Sequence, residues 1–140
     1  MKVDLKEFEE MVRNSGWYRL IGATPIVEEG IGIVEINIED KHKQAYKTAH
    51  GGVIASILDS AAGLAVNSLL IKQNKAAVTA EFNVSYLKPV SSGKLVAKGK
   101  VINIGSKLAV AYSEVKNDRG EIVAIATATF YILNLDNIIK

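Results

Sequence analysis

The chain contains no cysteine. That absence excludes disulfides, thiolate-bound zinc and a cysteine nucleophile, and it fits a reducing cytoplasm, the expected compartment. Net charge is nearly as scarce. Seventeen lysines and arginines against 15 acidic residues leave a formal +2, so no broad basic field points to nucleic acid. No group of His, Asp and Glu has metal-ligand spacing, so neither a metal nor a cofactor is expected. Repeats, low-complexity runs and linkers are missing too. The first ten residues, MKVDLKEFEE, are charged throughout and do not read as a secretory signal. What is present is a chain of 140 residues, 49% hydrophobic and 23% charged, which suits one domain over 1–140 with a real core.

The longest weakly charged run extends from Ala49 to Leu70, and after His50 its sole ionisable residue is Asp59. Plotted at ~100° per residue, Asp59, Gly63, Ser56, Asn67 and Ser60 fall on one narrow stripe. Ile54, Leu58, Ala61, Ala65, Val53, Ile57 and Leu64 crowd the other side. This is the pattern of a central helix, buried over most of its surface, with a polar seam. At ~20 residues it is long enough to span a membrane, but Asp59, Asn67 and three serines argue for a protein core and no membrane. A carboxylate in such a seam must be hydrogen-bonded, protonated, paired or functional, because burying a bare charge is costly.

Around this helix the chain reads in order. Asp4 to Asn14 is a short amphipathic helix, with Asp4 and Glu7 spaced for a capping box and Ser15-Gly16 as its stop. Arg19 to Glu29 and Ile31 to Glu39 read as a hairpin turning at Gly30. Asp40 to Ala49 is a polar, irregular loop in which His42 is expected at the surface. After the helix, strands are expected over Ala76 to Leu87, Gly93 to Ile104, Lys107 to Lys116 and Glu121 to Leu133, as an antiparallel meander. In the first of these, strict alternation puts Thr79 and Glu81 on the face opposite Val78, Ala80, Phe82 and Val84. The fold class is α+β: a curved antiparallel sheet of about six strands wrapped around one long helix. The helix seam and one sheet edge are left short of partners, so self-association is expected.

The first turn of a helix presents N–H groups without intrahelical partners, and Gly51-Gly52 leave the approach to them open. A carbonyl oxygen gaining negative charge could rest there as in an oxyanion hole. Asp59 lies nine positions after His50, about two and a half turns away. One small reacting group cannot touch both ends of that stretch. A second, antiparallel copy of the helix would bring Asp59 of one chain to the glycine turn of the other.

These residues, together with the strand VTAEFNVSYLKP from Val78 to Pro89, resemble the PaaI-type hotdog-fold acyl-CoA thioesterases, and the resemblance covers almost the whole chain. It implies hydrolysis of an acyl-CoA, carrying a small aryl or medium-chain acyl group, to free acid and CoA. It implies that Asp59 serves as nucleophile or general base, that the Gly51 amide polarises the thioester carbonyl, and that His50 positions the thioester end and supports the helix start. Gln44 stands where the family often has asparagine, and Thr79 where a small hydroxyl residue orients the nucleophile or water. A dimer is implied as the minimal active unit, with a tetramer expected. Lys88, Lys94 and Lys107, at strand ends and turns, are candidate partners for CoA phosphates. Two other readings share the scaffold. One is a non-catalytic acyl-CoA or lipid-binding module. The other is an enoyl-CoA hydratase or dehydratase, against which stands the lack of an acid close before His50, Asp40 being ten positions away.

Overall fold

A computed structural model describes residues 3–138. Helix α1, Leu5–Arg13, is capped by Asp4, whose side chain accepts from the Glu7 N–H at 2.8 Å. A second helix, α2, follows at Gly16–Ile21 and ends on Gly22 in the left-handed region at φ 72°. Ser15-Gly16 therefore stops one helix and starts another, and the first strand is shorter than its composition suggested. Six residues make under two turns, too few for helical periodicity to stand out. Strands β1 (Thr24–Glu28) and β2 (Ile31–Asn37) form the expected hairpin. The long helix α3 covers Gly51–Leu70, and β3 (Lys75–Tyr86), β4 (Lys94–Ile104), β5 (Leu108–Lys116) and β6 (Ile122–Asn134) complete the chain.

The six strands form one antiparallel sheet in the order β1-β2-β4-β5-β6-β3. Strands β4, β5 and β6 are a meander as expected, but β3 is not its first member. It crosses to the far edge and pairs with β6, while β2 takes the place beside β4. The hairpin and the meander thus join into one surface with α3 against it. The 23-residue apolar stretch Gly51–Gln73 is mostly buried on that surface, so it is the core helix and not a lipid-facing span.

The helix comes very close to the sheet, and a row of small residues explains how. Gly32 on β2 lies opposite Gly99 on β4, Gly99 opposite Ser113 on β5, and Ser113 opposite Ala126 on β6. A methyl group built on Gly32 would stand 2.3 Å from the Ala61 carbonyl oxygen, and one on Gly99 2.4 Å from it. Ala61, Ala62 and Ala65 are fully buried there, and the Ser113 hydroxyl donates to the Leu58 carbonyl at 2.9 Å.

The two sheet edges differ. On β1, the Val27 N–H donates to Glu9 at 2.8 Å and the Pro25 carbonyl accepts from Arg13 at 3.2 Å, so α1 caps that edge with side chains. Glu9 and Arg13 are themselves an ion pair at 3.3 Å. Edge β3 is 12 residues long and largely exposed, Val78 and Tyr86 included. His42, expected at the surface, is buried, with 2% exposure. Its Nε2 donates to the Ile21 carbonyl at 2.7 Å, its Nδ1 accepts from the Glu39 N–H at 2.9 Å, and its own carbonyl accepts from the His50 N–H. It joins the end of α2 to the loop that opens α3.

Substituting Gly99→Ala should cost about 1–3 kcal/mol through overpacking against the helix backbone, read as a lowered midpoint in thermal or urea unfolding. Gly16→Ala, where nothing lies within 4 Å of the added methyl, should leave the midpoint unchanged or raise it.

Candidate active site

Asp59 sits midway along α3 on the seam turned toward β3. The Thr79 hydroxyl donates to its carboxylate at 2.8 Å. Thr79 faces the helix because the pairing of β3 with β6 slips by one residue between Thr79 and Glu81, leaving Ala80 as an extra residue. The bulge switches the alternation, so Thr79 points inward although Phe82 and Val84 also pack on the core. Strict alternation had put Thr79 on the opposite face.

Burial pushes the Asp59 carboxyl above its ordinary value, and the Thr79 hydrogen bond acts against that rise by favouring the charged form. Tyr18 of α2 lies nearby. Its phenol is pushed up first by burial and then by the Asp59 charge, while a hydrogen bond to Ser60 works the other way. Asp59 and Thr79 stand in a groove of about 490 Å³, open along one side and walled by Phe8, Met11 and Val12 of α1 and by Leu64 and Phe130.

The start of α3 is built separately. His50 is the N-cap, and its Nδ1 accepts from the Gly52 N–H at 2.8 Å, which leaves Nε2 to carry the proton of the neutral ring. The amides of Val53 and Ile54 point at the His50 carbonyl. The Gly51 N–H has no acceptor among the described residues. Tyr86, to which sequence reasoning gave no role, donates its hydroxyl to the Gly51 carbonyl at 2.7 Å, and its ring lies 3.3 Å from where a Gly51 side chain would begin. Gln44 is held in its own loop, its amide donating to the Thr48 hydroxyl at 2.8 Å. Gly51, Gln44, Thr48, Tyr86 and Lys88 line a second groove of about 420 Å³.

The chain therefore brings Asp59 to Thr79, and Gly51 to Gln44 beside His50, but it does not bring the two sets together. The grooves share no lining residue. Along the helix, eight residues separate Gly51 from Asp59, about 12 Å. Of the lysines, Lys88 borders the Gly51 groove and is ion-paired with Glu121. Lys94 pairs with Glu35 at 3.1 Å, and Lys107 is exposed in the β4–β5 turn. Neither Lys94 nor Lys107 lines either groove. Glu81 is exposed on β3 and forms no ion pair among the described residues.

A single helix inside a curved antiparallel sheet, with a glycine turn at its start and a carboxylate at its middle, defines the hotdog class of thioester hydrolases. The sequence profile of the thioesterase superfamily matches residues 46–124. A protein of Archaeoglobus fulgidus is 36% identical over 128 residues, 90% of this chain and 80% of that one. The medium/long-chain acyl-CoA thioesterase YigI of Escherichia coli is 35% identical over 100 residues, 63% of this chain and 64% of its own. Among solved structures, a thioesterase of Haemophilus influenzae superposes with TM-score 0.85 at 22% identity, covering 96% of this chain and 94% of that one. The E. coli PaaI protein of the phenylacetic acid degradation operon gives 0.83 at 24%, covering 91% of each. The chain belongs to the thioesterase superfamily, with the hotdog fold of these neighbours.

Burial has a measurable consequence at Asp59. Because its carboxyl is raised in the folded state, ionisation costs stability at every pH above the folded-state value, and the cost vanishes below the unfolded-state value, ~3.9. Asp59→Asn should therefore raise the thermal midpoint at neutral pH, and the gain should fade as pH falls through the carboxylate range. Thr79→Val removes the bond that favours the charged form, so the titration of the Asp59 carboxyl, followed by NMR, should move to higher pH.

Proposed function

We propose that this thioesterase hydrolyses acyl-CoA in a site shared by two copies of the chain, with Asp59 of one copy facing the Gly51 amide of the other. The observation that carries the reading is the division of the machinery along one helix: a carboxylate raised by burial in one groove, and in another a helix-start amide with no acceptor among the described residues. The thioester carbonyl oxygen rests on the Gly51 N–H, which stabilises the charge that develops there. Asp59 acts either as general base, taking a proton from the water that adds to the carbonyl carbon, or as nucleophile, adding to that carbon to give a mixed anhydride that water then hydrolyses, and the Thr79 hydroxyl orients the carboxylate. The thiolate of CoA leaves, and the acid is released. His50 holds the glycine turn in place.

The sheet edges support the pairing. Edge β1 is capped by Glu9 and Arg13, whereas along β3 only Ala77 has its edge N–H and carbonyl taken by a side chain, that of Asn67, and the strand beyond it is free to pair. Antiparallel β3–β3 pairing would lay two α3 helices side by side. The outer sheet face exposes Ile102, Leu108 and Tyr131, apolar surface on which such dimers would pair into a tetramer. The acyl group occupies the groove under Asp59. A cavity of ~150 Å³ suffices for benzene, so about 490 Å³ has room for a medium chain or a substituted aryl group.

Gly51→Pro removes the proposed donor at the first helical position, where proline is tolerated; His50 already has the extended backbone that must precede it, and the Tyr86 ring, 3.3 Å from the new side chain, has to give by a few tenths of an ångström. Turnover should fall ~10²–10³-fold, and Asp59→Asn should cost ~10²–10⁴-fold, both read by thiol release from an acyl-CoA panel. Co-expressed as a mixed dimer, the two variants should regain activity, since one of the two sites is then intact. No recovery in a verified mixed dimer would sink the shared site. Met11→Ala, which widens the groove wall, should shift the ratio of kcat/KM between short and long acyl chains about tenfold towards the long.

A further inference from the structure

We propose that Asn67 is a positioning residue: with the extra residue Ala80 it holds the first part of β3 so that the Thr79 hydroxyl stays on the Asp59 carboxylate. The inference rests on the reading of Asp59 as the hydrolytic carboxylate. Asn67 lies two turns beyond Asp59 on α3. Its Oδ1 accepts from the Ala77 N–H at 2.8 Å, and its Nδ2 donates to the Gly63 carbonyl at 2.8 Å and to the Ala77 carbonyl at 3.4 Å. One side chain thus ties the helix backbone to both polar groups of a strand residue two positions before Thr79.

That tie falls where β3 needs it. The strand is an edge with β6 on one side only, and its ladder is interrupted at Ala80. A bulge interrupts the ladder, and a one-residue slip there would restore plain alternation. Reversion would turn Thr79 out with Glu81, Asn83 and Ser85, all exposed. Ala77 fixed to the helix by Asn67, and Phe82 packed in the core beyond the bulge, clamp both sides of it. Asparagine is also a poor residue for a helix interior, and the strand bonds give its place there a cause. Serine or alanine would fit the seam without making the strand bond.

The test compares Asn67→Ala, Asn67→Ser, Thr79→Val and the double variants by steady-state kinetics, thermal unfolding and an NMR titration of the Asp59 carboxyl. Asn67→Ser keeps a hydroxyl able to bond the Gly63 carbonyl but cannot reach Ala77, so it isolates the strand tie if Asn67→Ala fails to fold. Besides Asp59, the titratable group at this point is Tyr18, whose phenol is raised in part by the Asp59 charge, and it is left untouched. The expected result is a loss of about ten- to a hundredfold in kcat with KM little changed, and an acid limb and carboxyl titration moved upward as in Thr79→Val. In the Thr79→Val background, Asn67→Ser should add no further shift. An Asn67 variant that lowers the melting point but keeps kcat and the carboxyl titration would overturn the proposal, as would fully additive effects. If Asp59→Asn itself keeps full turnover, the hydrolytic reading fails instead, and the NMR titration still reports whether Asn67 acts on Asp59 through Thr79.

Discussion

Backbone-to-backbone contact between α3 and the centre of the sheet governs this structure. Helix and sheet are normally kept apart by two layers of side chains. Here Gly32 and Gly99 remove one layer and Ala61 nearly removes the other, so the Ala61 carbonyl lies where a side chain on either strand would have to be. Close packing of this kind leaves no slack for rotation. With Ala61 and Ala65 pinned to the sheet and Leu58 held by Ser113, the roll of the helix is set. Asp59, Gly63 and Asn67 must then run along its flank, facing β3 and the groove under α1.

From that roll follows the electrostatic character of the site. Asp59 is neither in bulk water nor in a sealed core. Burial raises its carboxyl, and one hydroxyl, from Thr79, partly restores the preference for the charged form. A carboxylate held this way is a better proton acceptor than a solvated one and is costly to the fold, the usual balance at a reactive group. The nearby Tyr18–Ser60 pair and the apolar wall from α1 keep that environment drier than the open surface.

The edges of the sheet tell the same story at larger scale. An exposed strand edge is an invitation to pair. On β1 that invitation is withdrawn by Glu9, Arg13 and a proline that has no N–H to offer. On β3 it is left open except at Ala77, whose N–H and carbonyl are taken by Asn67. Open edge, exposed apolar side chains and divided grooves are consistent with one another, and together they are what the proposed two-copy site rests on.

Much of this was legible along the chain. Period, caps and glycines placed α1, α3 and the hairpin, and the polar seam singled out Asp59 with Asn67 on the same stripe, because these are properties of residues within a few turns of one another. The HGG run and the strand from Val78 to Pro89 indicated the family. Other features were out of reach. That β3 pairs with β6 and not β4, that His42 is a buried joint, that Tyr86 covers Gly51 and that a bulge at Ala80 turns Thr79 inward all depend on contacts between different elements of the chain, such as Ile21 with His42 and Gly51 with Tyr86. Alternation read along β3 even gave the opposite face for Thr79. The sequence by itself determined the local elements and the chemical groups available. The tertiary structure alone decided which of them meet, since strand order and the facing of side chains across a bulge are set by packing between remote segments and leave no periodic trace in either one.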